Sequence, residues 1–109
     1  MTETDLKAII KDTLHVPVYD DGFSITYPSA TYSFYMDSPE LFGDGHAAGR
    51  VASVQIDLWY KNKEDRDTAA DLLATALDDA DCTSPTINRI FDATARKFRA
   101  TFHFETRRI

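Results

Sequence analysis

From Ala52 the chain alternates with a period of two: Ala52, Val54, Ile56, Leu58 and Tyr60 fall on one face, and Ser53, Gln55, Asp57 and Trp59 on the other. That is the pattern of a half-buried strand. At Lys61-Asn62-Lys63 the period changes. Ala69, Leu72, Leu73, Ala76, Leu77 and Ala80 then recur at the spacing of one helix face. Adjoining segments that each carry an apolar face pack on each other, so Val51–Asp81 is expected to form the centre of the domain.

The flanking segments follow the same logic. Thr2 opens a loose capping box with Asp5, and Leu6, Ile9, Ile10 and Leu14 form a stripe, which predicts a helix over 3–14. Val16–Tyr19 reads as a short edge strand, because Pro17 removes a ladder donor, and Asp20-Asp21-Gly22 is a turn signal. Ala30–Asp37 alternates, with Tyr32, Phe34 and Met36 on one face and Thr31, Ser33 and Tyr35 on the other. Ser38–Gly49 holds three of the four glycines and the apolar pair Leu41-Phe42. It reads either as a long hairpin connection or as an arm, with Leu41 and Phe42 tucked on the sheet edge or contacting a partner. Asn62 is the expected N-cap of the second helix, with Asp65 behind it. Asp78, Asp79 and Asp81 crowd its other end, where the dipole disfavours acids. Either the helix stops near Leu77 or these acids meet a basic surface.

Thr86–Phe91 and Lys97–Glu105 should form an antiparallel hairpin. In the second of these strands Phe98, Ala100, Phe102 and Phe104 face one way; Lys97, Arg99, Thr101, His103 and Glu105 face the other. The order predicts an α+β fold, a single domain over 1–109. It should hold a mainly antiparallel sheet of about four to five strands, with two helices on one face.

Composition changes the picture in three ways. The net charge of -6 argues against nucleic acid or an anionic membrane as the main partner. A single cysteine, Cys82, excludes an internal disulfide framework and any Cys-based zinc site, and suits a reducing compartment. Met1–Lys11 is charged without an apolar run, and no stretch approaches the roughly 18 apolar residues of a membrane span. A cytosolic site of synthesis is therefore expected, with neither a signal peptide nor a membrane partner.

Candidate chemistry is sparse. His15, His46 and His103 lack the spacing of a zinc site, and no phosphate loop, dinucleotide fingerprint or nucleophile elbow occurs. The acids near Cys82 should raise its pKa and make it a poor nucleophile. Asp57 and Glu105, on polar strand faces, read as solvated carboxylates rather than an acid–base pair. Tyr35, Trp59 and Arg99 make an aromatic–basic surface of the kind that stacks bases, but the net charge weighs against that use. No catalytic, cofactor-binding or metal residue is assigned, and no enzyme activity is expected.

Three stretches carry a resemblance. Tyr32–Gly45 reads Y-S-F-Y-M-D-S-P-E-L-F-G-D-G, Val54–Asp65 reads V-Q-I-D-L-W-Y-K-N-K-E-D, and Asp92–Glu105 reads D-A-T-A-R-K-F-R-A-T-F-H-F-E. This succession resembles the tail-completion proteins of bacteriophages and prophages, in particular the tail terminators of siphophages with Gram-positive hosts. The resemblance implies a hexameric ring that caps the tail tube, ends its polymerisation and offers a docking surface to the head connector. Assembly of the ring only on the tube is one form that the resemblance allows. It also implies a place in the virion tail or neck, after assembly in the host cytoplasm. A head-completion or connector protein of the neck, or a monomeric acidic binding module, are the alternatives. For the interfaces such a ring needs, charge and exposure single out Tyr35, Leu41, Phe42, Trp59, Asp78, Asp79, Asp81, Arg96 and Arg99. The acidic helix end and the Arg96/Lys97/Arg99 strand would be complementary between neighbours.

Overall fold

The computed structural model describes residues 1–20, 26–41 and 47–108, and their side chains outside 40–49 and 108. Elements run α1 (Glu3–Leu14), β1 (Val18–Asp20), β2 (Ser29–Leu41), β3 (Ala47–Tyr60), α2 (Lys63–Asp78), β4 (Thr86–Asp92) and β5 (Lys97–Arg108). The strands form one sheet in the order β1-β2-β3-β5-β4. Every pairing is antiparallel except β1 with β2. The α+β reading with a mainly antiparallel sheet holds.

Both helices start as their sequences dictate. Thr2 Oγ1 accepts from the Asp5 amide at 3.1 Å, and Asp5 Oδ2 accepts from the Thr2 amide at 3.0 Å, a reciprocal capping box. Asn62 Oδ1 accepts from the Asp65 amide at 2.8 Å. The helices pack side by side on one sheet face. There Leu6, Ile10, Leu73 and Leu77 meet Val54, Ile56, Leu58 and Phe102, all with no exposed surface. Burying each such side chain contributes about 1.5–3 kcal/mol.

The structure departs from the sequence pattern in four places. The short edge strand lies at Val18–Asp20, not Val16–Tyr19, and runs parallel to β2. Val16 is buried in the core instead, and the Pro17 carbonyl accepts from the Ala30 amide at 2.9 Å. The Ser38–Gly49 segment is mostly paired strand. β2 continues to Leu41 and β3 starts at Ala47, so the two form a long hairpin arm; 42–46, with Phe42, lie outside the described residues.

Met36 does not share a face with Tyr32 and Phe34. Phe34 pairs with Val54 but Met36 with Ser53, so Tyr35 is an extra, bulged residue. A one-residue slip turns every following side chain over, and Met36 emerges 55% exposed on the uncovered face. On α2, Leu72 points outward and is 51% exposed, while Arg66 takes a buried place with Ala69, Ala70, Leu73 and Leu77. The Arg66 guanidinium lies 5.5 Å from the centre of the Phe98 ring and donates to the Ile90 carbonyl at 3.2 Å, which ties α2 to the hairpin. Arg89 shares the core face of β4 with Ile87 and Phe91, as their spacing implies, and reaches Asp71 at 3.0 Å and Asp67 at 3.5 Å, both on α2.

Candidate interaction surfaces

With α1 and α2 on one side, the other sheet face has no element over it among the described residues. Its floor is nonetheless buried. Thr31 of β2, Asp57 of β3 and Thr101 of β5 sit opposite one another in register. Thr101 Oγ1 donates to Asp57 Oδ1 at 2.6 Å, and Gln55 Nε2 donates to Asp57 Oδ2 at 3.0 Å. Trp59 Nε1 donates to Thr31 Oγ1 at 3.3 Å. Asp57 is therefore a hydrogen-bonded carboxylate 7% exposed, not the solvated group its polar strand face suggested. Glu105 pairs with Ser53, four residues further along the ladder. That is roughly 13 Å from the level of Asp57, too far for an acid–base pair.

Three basic side chains on this face of β5 each meet an aromatic ring. Lys97 Nζ lies 4.7 Å from the Tyr27 centroid, and the Arg99 guanidinium 5.3 Å from that of Trp59. His103 meets Tyr35 edge to face at 6.2 Å. Attraction to the ring face holds the Lys97 and Arg99 cations in place, whereas His103 and Tyr35 meet as two rings. A shallow groove beside them is lined in part by Gln55, Asn88, Ile90, Arg99, Thr101 and His103.

The predicted interface residues thus divide into three groups. Tyr35, Trp59 and Arg99 come together on the open face. Asp78, Asp79 and Asp81 are exposed at the far end of the helix layer, where Thr106 Oγ1 donates to the Asp81 carbonyl at 2.6 Å. α2 ends at Asp78 with Asp79 as its C-cap and no basic residue in its last turn. Arg96 is exposed at the opposite end of the molecule, in the turn joining β4 to β5, with φ 54. Ten residues of β5 separate the two ends, roughly 33 Å. Acid and base therefore do not meet within one chain. Leu41 is the last residue of β2, and its side chain lies outside the described set, as does all of Phe42.

Among the described residues no three His, Cys, Asp or Glu side chains converge as a metal site would require. No helix is long and apolar enough to cross a membrane. The Cys82 thiol donates to the Leu77 carbonyl at 3.3 Å, and its pKa is pushed up, first by burial and then by Asp78 and Asp81. Sequence pointed to the acids but not to burial as the larger cause. Residue patterns alone also missed Arg66, the Lys97–Tyr27 contact and the Asp57 network. Their only trace was small hydroxyl residues, Thr31 and Thr101, on polar strand faces, which become neighbours of Asp57 only once the register is known.

These features define an α+β protein built on one sheet with a covered face and an open, aromatic–basic face. No protein-family model and no curated protein matches the chain. The fold does have a solved counterpart, a chain from the virion of the native gene transfer agent (GTA) particle. The two share 18% identity at a TM-score of 0.60, over 92% of this chain and 84% of that one. At that identity the likeness is one of fold.

Proposed function

We propose that this chain is a structural protein of a phage-type virion, a tail terminator whose ring caps the tail tube, ends its polymerisation and receives the head. The observation that carries the reading is the fold shared with a chain of the GTA virion over nearly the whole of both. The three stretches that resemble tail terminators of siphophages with Gram-positive hosts support it independently. So does the placement of Asp78, Asp79 and Asp81 at one end of the molecule and of Arg96 at the other. A ring closes through heterologous, head-to-tail contacts between two different patches of each subunit, and complementary ends suit that contact.

The role needs no catalytic residue or cofactor. The partners are other copies of the chain, the tail-tube protein and the head–tail connector, in the virion after assembly in the host cytoplasm. A head-completion protein of the neck is the second reading, because the fold counterpart is described by its particle and not by a position within it. Light scattering of the purified chain across a concentration and magnesium series, then electron microscopy with polymerised cognate tail-tube protein, separates the two. A hexamer, or a monomer that forms a ring on the tube end and halts growth, supports the terminator. A chain that ignores tubes and joins the connector supports the neck protein. One that binds neither overturns the proposal.

A further inference from the structure

β4 (Thr86–Asp92) is the outermost strand of the sheet, and its outer edge has no neighbour among the described residues. Two hydrogen bonds fix which of its backbone groups face outward. The Thr83 amide donates to the Glu105 carbonyl at 2.8 Å, and across the sheet the Ala30 amide donates to the Pro17 carbonyl at 2.9 Å. Hydrogen-bonding residues alternate along an antiparallel ladder. Followed from either bond through the registered pairs, Asn88 and Ile90 bond to β5, while the N–H and C=O of Ile87, Arg89 and Phe91 point out. An open edge is a template for a further strand, and proteins blunt it with Pro, bulges or charge. Ile87–Phe91 has none of these in the way: its pairing with β5 is unbroken, and Arg89 is drawn back to Asp67 and Asp71 on α2. The opposite edge is blunted. β1 covers three residues of β2, a bulge follows at Tyr35, and Pro39 stands in an outward position without an N–H. Strand pairing between the two different edges is therefore disfavoured.

The β4 edge complements itself instead. Outward groups must meet outward groups, and a one-residue slip turns every side chain over, so an antiparallel second copy has a short choice of registers. Centred on Arg89, the pairing sets two guanidinium side chains directly opposite. Centred on Asn88, it sets Phe91 against Pro85, which has no N–H. Centred on Ile90, it sets Ile90 against Ile90 of the second copy on the open face, with Asn88 beside Asp92. Arg89 then exchanges both backbone bonds with Phe91 of the second copy and lies next to its ring. Ile90 and Phe91, 41% and 53% exposed in the single chain, are both withdrawn from water. A contact between identical patches closes as a pair.

We propose that β4 pairs antiparallel with β4 of a second copy of this chain, centred on Ile90, so that the two sheets join into one. The contact is separate from the head-to-tail contacts of the ring proposed above and does not rest on them. Amide hydrogen exchange of the full chain reads it strand by strand. Between about 10 µM and 1 mM, exchange at Arg89 and Phe91 should slow at least about threefold as the pair fills. Ile87, beyond the paired stretch, should stay fast at both concentrations, and Asn88, bonded to β5, slow at both. Ile90→Lys sets two ammonium groups opposite each other and should abolish the slowing; a slow Asn88 amide shows that the hairpin of this variant is intact. In a Cys82→Ala background, Ile90→Cys brings two thiols together in a non-hydrogen-bonded pair, a geometry that suits a disulfide. Under mild oxidation it should cross-link at least about tenfold faster than Asn88→Cys. Exchange at Arg89 and Phe91 that ignores concentration, or equal cross-linking of the two cysteine variants, overturns the proposal. So does protection that reaches Ile87, which belongs to the register centred on Arg89. Tube capping is read separately: a chain that caps tubes without this protection leaves the ring standing and sinks the β4 contact, and a chain that pairs but does not cap does the reverse.

Discussion

Replacing Asp57 by Ala tests the open-face floor most directly. The carboxylate accepts from Thr101 at 2.6 Å and from Gln55 at 3.0 Å while 7% exposed. Hydrogen bonds to a charged group contribute about 1.5–3 kcal/mol each. Gln55 is half-buried and can turn to water, so its share is small, whereas the Thr101 hydroxyl, 8% exposed, loses its acceptor. Relief of the buried charge offsets part of that loss. A net destabilisation of about 2 kcal/mol is expected, or a fall in Tm of roughly 10 °C for a domain of this size. Thr101→Val, which keeps the β-branched shape, strands one carboxylate oxygen and should cost about 1.5 kcal/mol.

The double variant decides whether the two groups act as a unit. Removing both leaves no orphaned partner, so Asp57→Ala with Thr101→Val should cost at least about 1 kcal/mol less than the sum of the single changes. Urea unfolding gives all four stabilities, followed by far-UV circular dichroism and by fluorescence of Trp59, the single tryptophan. A loss below about 0.5 kcal/mol for Asp57→Ala, the level of an ordinary surface change, would refute the reasoning, as would strict additivity.

Three further outcomes are expected. Leu73→Ala should cost about 2–5 kcal/mol, whereas its neighbour Leu72→Ser, at a 51% exposed position, should stay within about 0.5 kcal/mol; equal losses by urea unfolding would mean that α2 is rotated from the orientation described. Asp5 is held below the ordinary 3.8 by hydrogen bonds from the Thr2 backbone and side chain, so its contribution is present above that value and lost as pH falls through the lower folded one. An NMR titration should find Asp5 below 3.8 and Thr2→Ala should move it upward; an unmoved value would break the capping-box argument. Cys82 has its pKa raised above 9.0 by burial and then by Asp78 and Asp81. Stability should therefore fall as pH rises from about 9 through the folded value, and alkylation of the native thiol should reach half its maximal rate above pH 9.0. A midpoint at or below that pH refutes the placement.

Much of the fold could be read from periodicity alone, because it is a local signal. The capping box at Thr2 and Asp5, the alternation of β3 and β5 and the N-cap at Asn62 each depend on residues near one another in the chain. What could not be read depends on a neighbour that only folding supplies. Nothing in Tyr32, Phe34 and Met36 announces a bulge, since the alternation continues through it. Arg66 looks like a solvated helix residue until the Phe98 ring and the Ile90 carbonyl lie beside it. The candidate surface was legible by residue type but not by grouping. Tyr35, Trp59 and Arg99 share a face as expected, whereas the pairing of Lys97 with Tyr27 bridges positions 70 residues apart, from 27 to 97.

The bulge links the fold to its use. Without the slip, Met36 would continue the row of Tyr32 and Phe34 on the covered face, opposite Ala52. The slip at Tyr35 instead turns Met36 out beside Ser53 and brings Tyr35 onto His103. Met36 is thereby added to the face that already carries Tyr35, Trp59 and Arg99. A sheet with one side sealed by helices gains nothing in its own stability from such a surface, because Tyr35 and Met36 remain more than half exposed. Their burial becomes favourable only when a second molecule supplies the missing layer. The same bulge redirects the strand that becomes the arm. Deleting Tyr35 would leave Met36 opposite Ser53 and every later pair in place, so the Tyr35–His103 contact and the local bend should be lost while α1, α2 and the β4–β5 hairpin keep their contacts.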